Sequence, residues 1–152
     1  MATGLDDVVP LTALRTLRFP AAEPSVRAAR RRARELLGPA FPGLFEITVV
    51  VSELVTNALR HSRSGEGGQV TVRFLAGEGL LRLEVADDGS GGFPRLREPD
   101  ERGENGRGLH VVEALALRWG VTRRAGTTAV WADFVAPGNG LISTCTCDGY
   151  TG

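Results

Sequence analysis

Glu53 and Asn57 lie four positions apart in the stretch V-V-V-S-E-L-V-T-N-A-L-R-H-S, residues 49–62. If this stretch is helical, the two side chains share one face and lie one turn apart. The carboxylate can accept a proton or orient a water molecule, and the carboxamide oxygen can bind a hard cation such as Mg²⁺. The pattern of this helix alone favours the simpler alternative, a solvated polar face, because Glu and Asn are common on helix surfaces.

Two glycine-rich stretches could bring backbone close to a ligand. The first, D-D-G-S-G-G at residues 87–92, directly follows a predicted strand. The second, G-E-N-G-R-G-L at residues 103–109, opens a short apolar helix. Glycine permits close approach of the backbone, and the free N–H groups at a helix N-terminus attract an anion. The aperiodic stretch 93–108 between them is long for a compact domain, and we predict that it forms a lid.

The helix that carries Glu53 and Asn57 has an apolar stripe on its other side. Spacing typical of a helix buried along one face predicts that this stripe faces the core. The stripe consists of Ile47, Val51, Leu54, Val55 and Ala58.

Two segments with alternating apolar residues flank a glycine turn and predict an antiparallel hairpin. They span residues 69–76 and 80–86, and the turn is G-E-G at residues 77–79. Three polar residues, Arg73, Arg82 and Glu84, should point away from the core. The apolar residues predicted to face the core are Val70, Val72, Phe74, Leu81, Leu83 and Val85.

The remaining elements are weaker in the sequence. Residues 15–19, 119–123 and 129–135 are predicted strands, and residues 109–117 are a predicted short helix. A further helix over residues 25–37 has five arginines on its outer face. This basic face could bind an acidic partner, although a solvated helix surface is the favoured alternative. The arginines are Arg27, Arg30, Arg31, Arg32 and Arg34.

Composition restricts the classes of function. The formal net charge is zero, so we expect neither nucleic acid nor a membrane as a partner. All 18 basic residues are arginines, which excludes a Walker-type phosphate lysine and leaves Arg, a helix N-terminus or a metal to neutralise phosphates. No apolar run approaches the roughly 20 residues that span a bilayer. The first ten residues lack the features of a secretory signal, and we predict a cytoplasmic protein.

The 152 residues suit one domain with an N-terminal and a C-terminal extension. We predict a lead-in over residues 1–14, the domain over residues 15–136 and a disordered tail over residues 137–152. Cys145 and Cys147 lie in that tail as a C-x-C pair, which cannot alone supply four zinc ligands. Reduced, solvated thiols are therefore the favoured interpretation.

Three motifs occur in a fixed order: E-x-x-x-N on a helix, D-x-G-x-G after a strand, and G-x-x-G-x-G-L at the start of a helix. This order resembles the N, G1 and G2 boxes of the GHKL (Bergerat-fold) ATPase and kinase superfamily. Within it, the chain is similar to the small anti-sigma factor serine kinases of the RsbW and SpoIIAB type. We predict an α+β fold, a two-layer α/β sandwich with helices on one face of a mixed, mainly antiparallel sheet of about five strands.

The resemblance implies an ATP and Mg²⁺ site. Asn57 would bind the Mg²⁺ that bridges the phosphates, and Glu53 would be the general base. Asp87 would accept a hydrogen bond from the adenine amino group, or Asp88 would do so if the register shifts by one. Thr128 is assigned beside the adenine, although Ala129 takes the place where the family often has threonine. The other residues implied at the nucleotide are Gly89, Gly91, Gly106, Arg107, Gly108 and Leu109.

Three functions remain open from the sequence. The first is a serine/threonine protein kinase that holds a sigma factor inactive and phosphorylates an anti-sigma factor antagonist of the STAS type; the resemblance also implies a homodimer. The second is a nucleotide-gated protein-binding module with weak or absent catalysis, in which ATP orders the lid and sets partner affinity. The third is a structural α+β domain whose glycines form turns.

Overall fold

The computed structural model describes residues 11–61, 68–87, 107–124 and 127–137. Five strands and three helices occur in these residues. In chain order they are β1 (Thr12–Pro20), α1 (Pro24–Leu37), α2 (Leu44–His61), β2 (Gln69–Gly77), β3 (Leu80–Asp87), α3 (Arg107–Leu115), β4 (Arg118–Arg124) and β5 (Thr127–Val135).

The strands form one sheet in the order β1-β2-β3-β5-β4, and every pairing between them is antiparallel. α2 contacts β2, β3 and β5, while α1 lies beside it toward β1 and α3 lies on its other side toward β4. The predicted α+β fold is confirmed. Because β5 inserts between β3 and β4, the start of β5 lies next to the end of β3.

The core lies between the helices and one face of this sheet. The whole apolar stripe predicted for α2 is buried, and so are the six inward residues predicted for β2 and β3. Ala29, Ala33 and Leu37 bring α1 onto the same core, and Leu109 and Val112 bring α3 onto it. Burial of apolar surface contributes about 25 cal/mol per Å², and it therefore stabilises the packing of all three helices against the sheet.

α2 spans Leu44–His61, which agrees with a helix that directly follows the turn-forming residues 38–43. Gly43 has a positive φ of 76°, which glycine adopts without strain, and it ends the preceding turn. The Ile47 N–H then donates to the Gly43 carbonyl, so the first helical turn forms directly after that glycine.

An ion-pair network lies on the sheet face opposite the helices. Asp133 of β5 is fully buried and accepts hydrogen bonds from Arg82 of β3 at 2.6 and 2.9 Å and from Arg118 of β4 at 2.7 Å. The Arg82 guanidinium also lies 4.1 Å from the centre of the Trp131 ring, within cation–π range. On the same face Arg73 pairs with Glu84 at 3.1 Å, so the three predicted outward residues of the hairpin are confirmed.

Among the described residues, no helix combines the length and apolar character needed to cross a membrane.

Candidate functional site

Asn57, Asp87 and Thr128 come together at one small pocket of about 10 Å³, which we call the α2–β3–β5 pocket. Each comes from a different element of the fold. Apolar residues of the same three elements complete the described lining, namely Leu54, Ala58, Val85 and Val130. A pocket with apolar walls and a few convergent polar groups is the usual form of a small-ligand site.

The strand register explains why Asp87 and Thr128 are neighbours. β3 and β5 pair antiparallel, and the last pair before the pocket is Ala86 with Ala129. One step further, Asp87 ends β3 opposite Thr128, near the start of β5. Both side chains point to the helix side, since Val85 and Val130 on the same faces belong to the core.

The helix places Asn57 over this pair. Leu54 and Ala58 are buried against the sheet, so Asn57, the residue before Ala58, is turned to the edge of that contact. From there its carboxamide lines the pocket while the backbone stays in the helix layer. Tertiary packing therefore gives the amide a position at the pocket that helical spacing alone did not define.

Glu53 lies one turn before Asn57 and contacts the start of α3. A Cβ built on Gly108 would lie only 2.9 Å from Oε2 of Glu53. The carboxylate therefore occupies the space that a side chain at residue 108 would need. This contact brings the first and third sequence motifs together at one place.

The side chains of Glu53, Asn57 and Thr128 form no hydrogen bond with any residue of the described ranges. Elsewhere on α2 the short polar side chains are satisfied locally, as in the Ser52 hydroxyl, which donates to the Thr48 carbonyl at 3.0 Å. Partly buried polar groups normally find a partner. Asn57 and Thr128 at the pocket, and Glu53 one helical turn from Asn57, are therefore available to a ligand.

The N-terminus of α3 adds positive character near Glu53. α3 runs from Arg107 to Leu115, and its first N–H groups have no partner within a helix of this kind. Gly108 is half-buried, and Leu109 is buried in the core and fixes the first turn. Such a helix start favours a bound anion.

Several predicted site residues lie outside the described residues. These are Gly89, Gly91 and Gly106, together with the alternative acceptor Asp88 and the tail cysteines Cys145 and Cys147. Arg107 is the first residue of α3, and for this residue the structure describes the backbone but not the side chain. The roles assigned to all of these residues remain predictions.

The apolar lining of the pocket was not predicted as part of the site. Leu54, Ala58 and Val85 were predicted only as core residues, and Val130 only as part of a strand. The spacing of apolar residues along a helix or strand shows which side faces the core. It carries no information on which core residues border a pocket. The signal that could have identified Val85 is its position two residues before Asp87, on the same side of the strand.

The described residues contain no group of three or more His, Cys, Asp or Glu that could hold a metal ion. Mg²⁺ often binds through one or two side-chain oxygens, with phosphates and water completing its shell. The Asn57 carboxamide lines the pocket without a hydrogen-bond partner in the described ranges, so its oxygen fits that donor set.

Comparison with known proteins shows the family to which most of the chain is similar. Residues 19–134 match the family described as Histidine kinase-like ATPase domain. "Serine-protein kinase RsbW" of Bacillus pumilus is 29% identical over 113 residues, covering 65% of this chain and 70% of that protein. The protein of the same name from Bacillus subtilis is 26% identical over 111 residues, covering 65% and 69%. "Sensor histidine kinase DpiB" of Escherichia coli is 37% identical over 93 residues, which are 52% of this chain and 17% of that kinase.

A solved structure has the same fold. It contains the RsbU and RsbW domains of Rv1364c from Mycobacterium tuberculosis, with a TM-score of 0.56 and 23% sequence identity. The match covers 80% of this chain and 32% of that longer chain. The family match extends from the end of β1 to β5 and includes every described residue of the pocket. The chain therefore belongs to the histidine kinase-like ATPase domain family.

Proposed function

We propose that this chain binds ATP in the α2–β3–β5 pocket and transfers the γ-phosphoryl group to a serine or threonine of another protein. The observation that carries the proposal is the convergence of Asn57, Asp87 and Thr128 on one pocket, with Glu53 beside the start of α3. The similarity to proteins named serine-protein kinase supports the type of reaction.

The side chains that line the pocket have the chemistry to recognise the adenine of ATP. Asp87 is a buried carboxylate in the lining, and a carboxylate accepts the hydrogen bonds of an exocyclic amino group. The Thr128 hydroxyl beside it can donate to a ring nitrogen or accept from the amino group. Val85 and Val130 provide apolar walls for the faces of the ring. Together they distinguish adenine from guanine, whose carbonyl would face the Asp87 carboxylate.

Phosphoryl transfer depends on positioning and charge neutralisation more than on covalent chemistry of the protein. Glu53 is the general base: it accepts the proton of the attacking hydroxyl as that oxygen bonds to the γ-phosphorus. The bond from the γ-phosphorus to the β–γ bridging oxygen breaks, and ADP leaves with the electron pair. The N-terminus of α3, next to Glu53, stabilises the phosphate charge.

Mg²⁺ is proposed as the cation of this site, held by the Asn57 carboxamide oxygen. When bound, Mg²⁺ supplies neutralisation of the phosphate charges. Asn57 and Glu53 lie one helical turn apart, so the metal ligand and the base would be held by one rigid element. A rigid helix is well suited to keep two groups in a fixed geometry during transfer.

We further propose that the phosphate acceptor is an anti-sigma factor antagonist of the STAS type and that the chain controls a sigma factor as a homodimer. These partners follow from the resemblance of the three motifs to anti-sigma serine kinases. Electrophoretic mobility of the phosphorylated antagonist, and co-elution with a sigma factor with and without ATP, would test them.

The first experiment is isothermal titration of ATP and ADP into the chain, with and without Mg²⁺, on the wild type and Asn57→Ala. We expect Mg²⁺-dependent ATP binding that is reduced at least about tenfold in the variant, because one metal ligand is lost. Absence of binding to the wild type at millimolar ATP would contradict the proposal and favour a structural domain.

The second experiment separates a kinase from a nucleotide-gated module. Glu53→Gln keeps the shape of the side chain and removes its basic character. We expect the variant to bind ATP as the wild type does and to lose at least about a hundredfold in phosphoryl transfer, since general-base catalysis contributes that much. If a partner binds in a nucleotide-dependent way, and if neither the wild type nor Glu53→Gln transfers phosphate to it, the nucleotide-gated module is the correct function.

A further inference from the structure

Two carboxylates are buried in the part of the chain that the structure describes, and the proposed mechanism uses one of them. Asp87 lines the α2–β3–β5 pocket, whereas Asp133 of β5 is fully buried on the other face of the sheet. A buried charge is costly unless it is paired, and Asp133 is paired with both Arg82 and Arg118. The two arginines lie on different strands, so this one carboxylate joins β3, β5 and β4.

Asp133 binds the segment that directly follows α3. Two residues separate the end of this helix from the start of β4. The Leu117 N–H donates to the Asp133 carbonyl at 2.8 Å, and the Arg118 Nε–H donates to Oδ2 of Asp133 at 2.7 Å. Just before them, the Ala116 N–H donates to the Val112 carbonyl at 2.8 Å, in the helical pattern. The chain from α3 to these two contacts, which we call the Asp133 anchor, is therefore hydrogen-bonded throughout.

The opposite end of α3 lies at the candidate site, where Gly108 contacts Glu53. Nine residues at about 1.5 Å each make α3 about 13 Å long. Leu109 and Val112 are buried in the core, but apolar burial is non-directional and does not by itself fix how far a helix extends along its own axis. Hydrogen bonds have a defined length and direction. The Asp133 anchor at one end of α3 therefore sets where Gly108 meets Glu53 at the other.

The two arginines that pair with Asp133 differ in what they hold in place. β3, which carries Arg82, is a central strand with β2 on one side and β5 on the other. Both of its pairings run in unbroken register from Leu80 to Ala86. β4, which carries Arg118, lies at the edge of the described sheet and pairs with β5. Loss of Arg82 therefore leaves β3 in place, whereas loss of Arg118 removes a bond where the edge strand meets α3.

We propose, on the basis of the function proposed above, that Asp133 is a positioning residue for phosphoryl transfer and acts through Arg118 on the position of α3. The Asp133 anchor keeps the first turn of α3 against Glu53, where the free N–H groups of that turn stabilise the phosphates of the nucleotide. None of its residues belongs to the described lining of the α2–β3–β5 pocket. Breaking the anchor therefore weakens the binding of phosphates and leaves the recognition of adenine unchanged.

The test compares Arg118→Gln with Arg82→Gln, because each removes one positive charge from the same carboxylate. Asp133 itself is left unchanged, since its loss would destabilise the fold. Arg118→Lys is the conservative variant, because the contact uses a single N–H that an ammonium group can replace.

Four measurements are made on the full chain. NMR titrations, which report dissociation constants into the millimolar range, give the affinities for ATP with Mg²⁺ and for adenosine, which has no phosphate. Hydrogen exchange without nucleotide compares the amides of α3 with those of α2, so that a change in global stability cancels in the ratio. Urea unfolding measures that global stability separately.

We expect Arg118→Gln to weaken ATP binding about threefold to tenfold, the range of charge effects at a helix N-terminus, and to change adenosine binding less than about twofold. The ratio of α3 to α2 exchange should rise at least about threefold, because a partly exposed charged hydrogen bond is lost. Arg118→Lys should restore both values to within about twofold of the wild type.

Arg82→Gln should leave ATP affinity and the exchange ratio within about twofold of the wild type. It should nevertheless lower the urea midpoint more than Arg118→Gln does, because Arg82 forms two hydrogen bonds to Asp133 and stacks on Trp131. A purely structural role would give the same order of the two variants in stability and in ATP binding.

Equal effects of Arg118→Gln and Arg82→Gln on ATP binding, equal losses of ATP and adenosine affinity in Arg118→Gln, or an unchanged exchange ratio would each overturn the positioning role. Failure of the wild type to bind ATP would instead contradict the proposed function. The exchange comparison needs no nucleotide, so it would still decide whether Asp133 holds α3 in place.

Discussion

Glu53 and Gly108 are in direct contact: Oε2 of Glu53 lies 2.9 Å from the position that a Cβ on residue 108 would take. Real Cβ atoms essentially never lie so close to another heavy atom, so the carboxylate and a side chain at 108 exclude each other. The contact joins the middle of α2 to the first turn of α3. Glycine at 108 therefore determines where the carboxylate of Glu53 can lie.

Gly108→Ala should impair phosphoryl transfer without unfolding the chain. Alanine favours a helix over glycine by about 1 kcal/mol, while its methyl group must displace the flexible end of Glu53. We expect transfer to fall about tenfold or more and the melting temperature to stay equal or rise, because a small misplacement of a catalytic group is costly. Transfer rates and thermal melts measure the two effects.

The control for this prediction is a double-mutant cycle with Glu53→Gln. If Gly108 acts by positioning Glu53, Gly108→Ala should add little to the loss already caused by Glu53→Gln, because coupled residues are not additive. Full additivity of the two losses would contradict the positioning role.

Asp87→Asn should weaken ATP binding. The buried carboxylate at the end of β3 would become an amide, and a hydrogen bond to a charged group contributes about 1.5–3 kcal/mol. We expect the ATP affinity to fall about tenfold to a hundredfold in isothermal titration. Glu84→Gln is the matched control, since Glu84 lies on the same strand, on the face away from the pocket, and pairs with Arg73. Equal effects of the two variants would show that strand charge, and not the pocket, is responsible.

Thr128→Val should have a smaller effect on the same affinity. Valine keeps the shape of the buried side chain and removes the hydroxyl, which costs about 0.5–1.5 kcal/mol for a neutral hydrogen bond. We expect a threefold to tenfold loss, about 1 kcal/mol, in ATP titrations. Thr122→Val on β4 is the control, because Thr122 pairs with Ala129 and lies on the opposite sheet face. An unchanged affinity in Thr128→Val would remove Thr128 from the site.

Asp133→Asn should destabilise the fold. The carboxylate is fully buried and holds both Arg82 and Arg118, which would lose their counter-charge. Breaking a buried ion pair costs about 3–5 kcal/mol, and the partial exposure of the two arginines reduces that to about 2–3 kcal/mol. Urea unfolding followed by circular dichroism measures the free energy of unfolding.

The control for Asp133 is the exposed pair Arg32–Glu35. Glu35→Gln should change the free energy of unfolding by less than about 0.5 kcal/mol, because solvent screens an exposed ion pair. A loss in Asp133→Asn no larger than this would show that the network on the outer sheet face is not important for stability.

The sequence alone determined the elements and the family. Apolar spacing predicted the buried stripe of α2 and the β2–β3 hairpin, since such periodicity records directly which side of an element faces the core. The order of the three motifs identified the superfamily, which the match over residues 19–134 shows. Apolar spacing is a local property, and motif order depends only on position along the chain. Both can therefore be recognised in the sequence without knowing which elements contact each other.

Tertiary structure alone decided which distant residues meet. Thr128 lies beside Asp87 because β5 inserts between β3 and β4. Asp133 is buried between Arg82 and Arg118 for the same reason. Arg30 was predicted on a solvated face, and packing of α1 against α2 buried its Nε. Periodicity predicts which face of a helix or strand is buried, but not which element packs against that face. The neighbouring element depends on strand order and helix packing between residues far apart in the sequence.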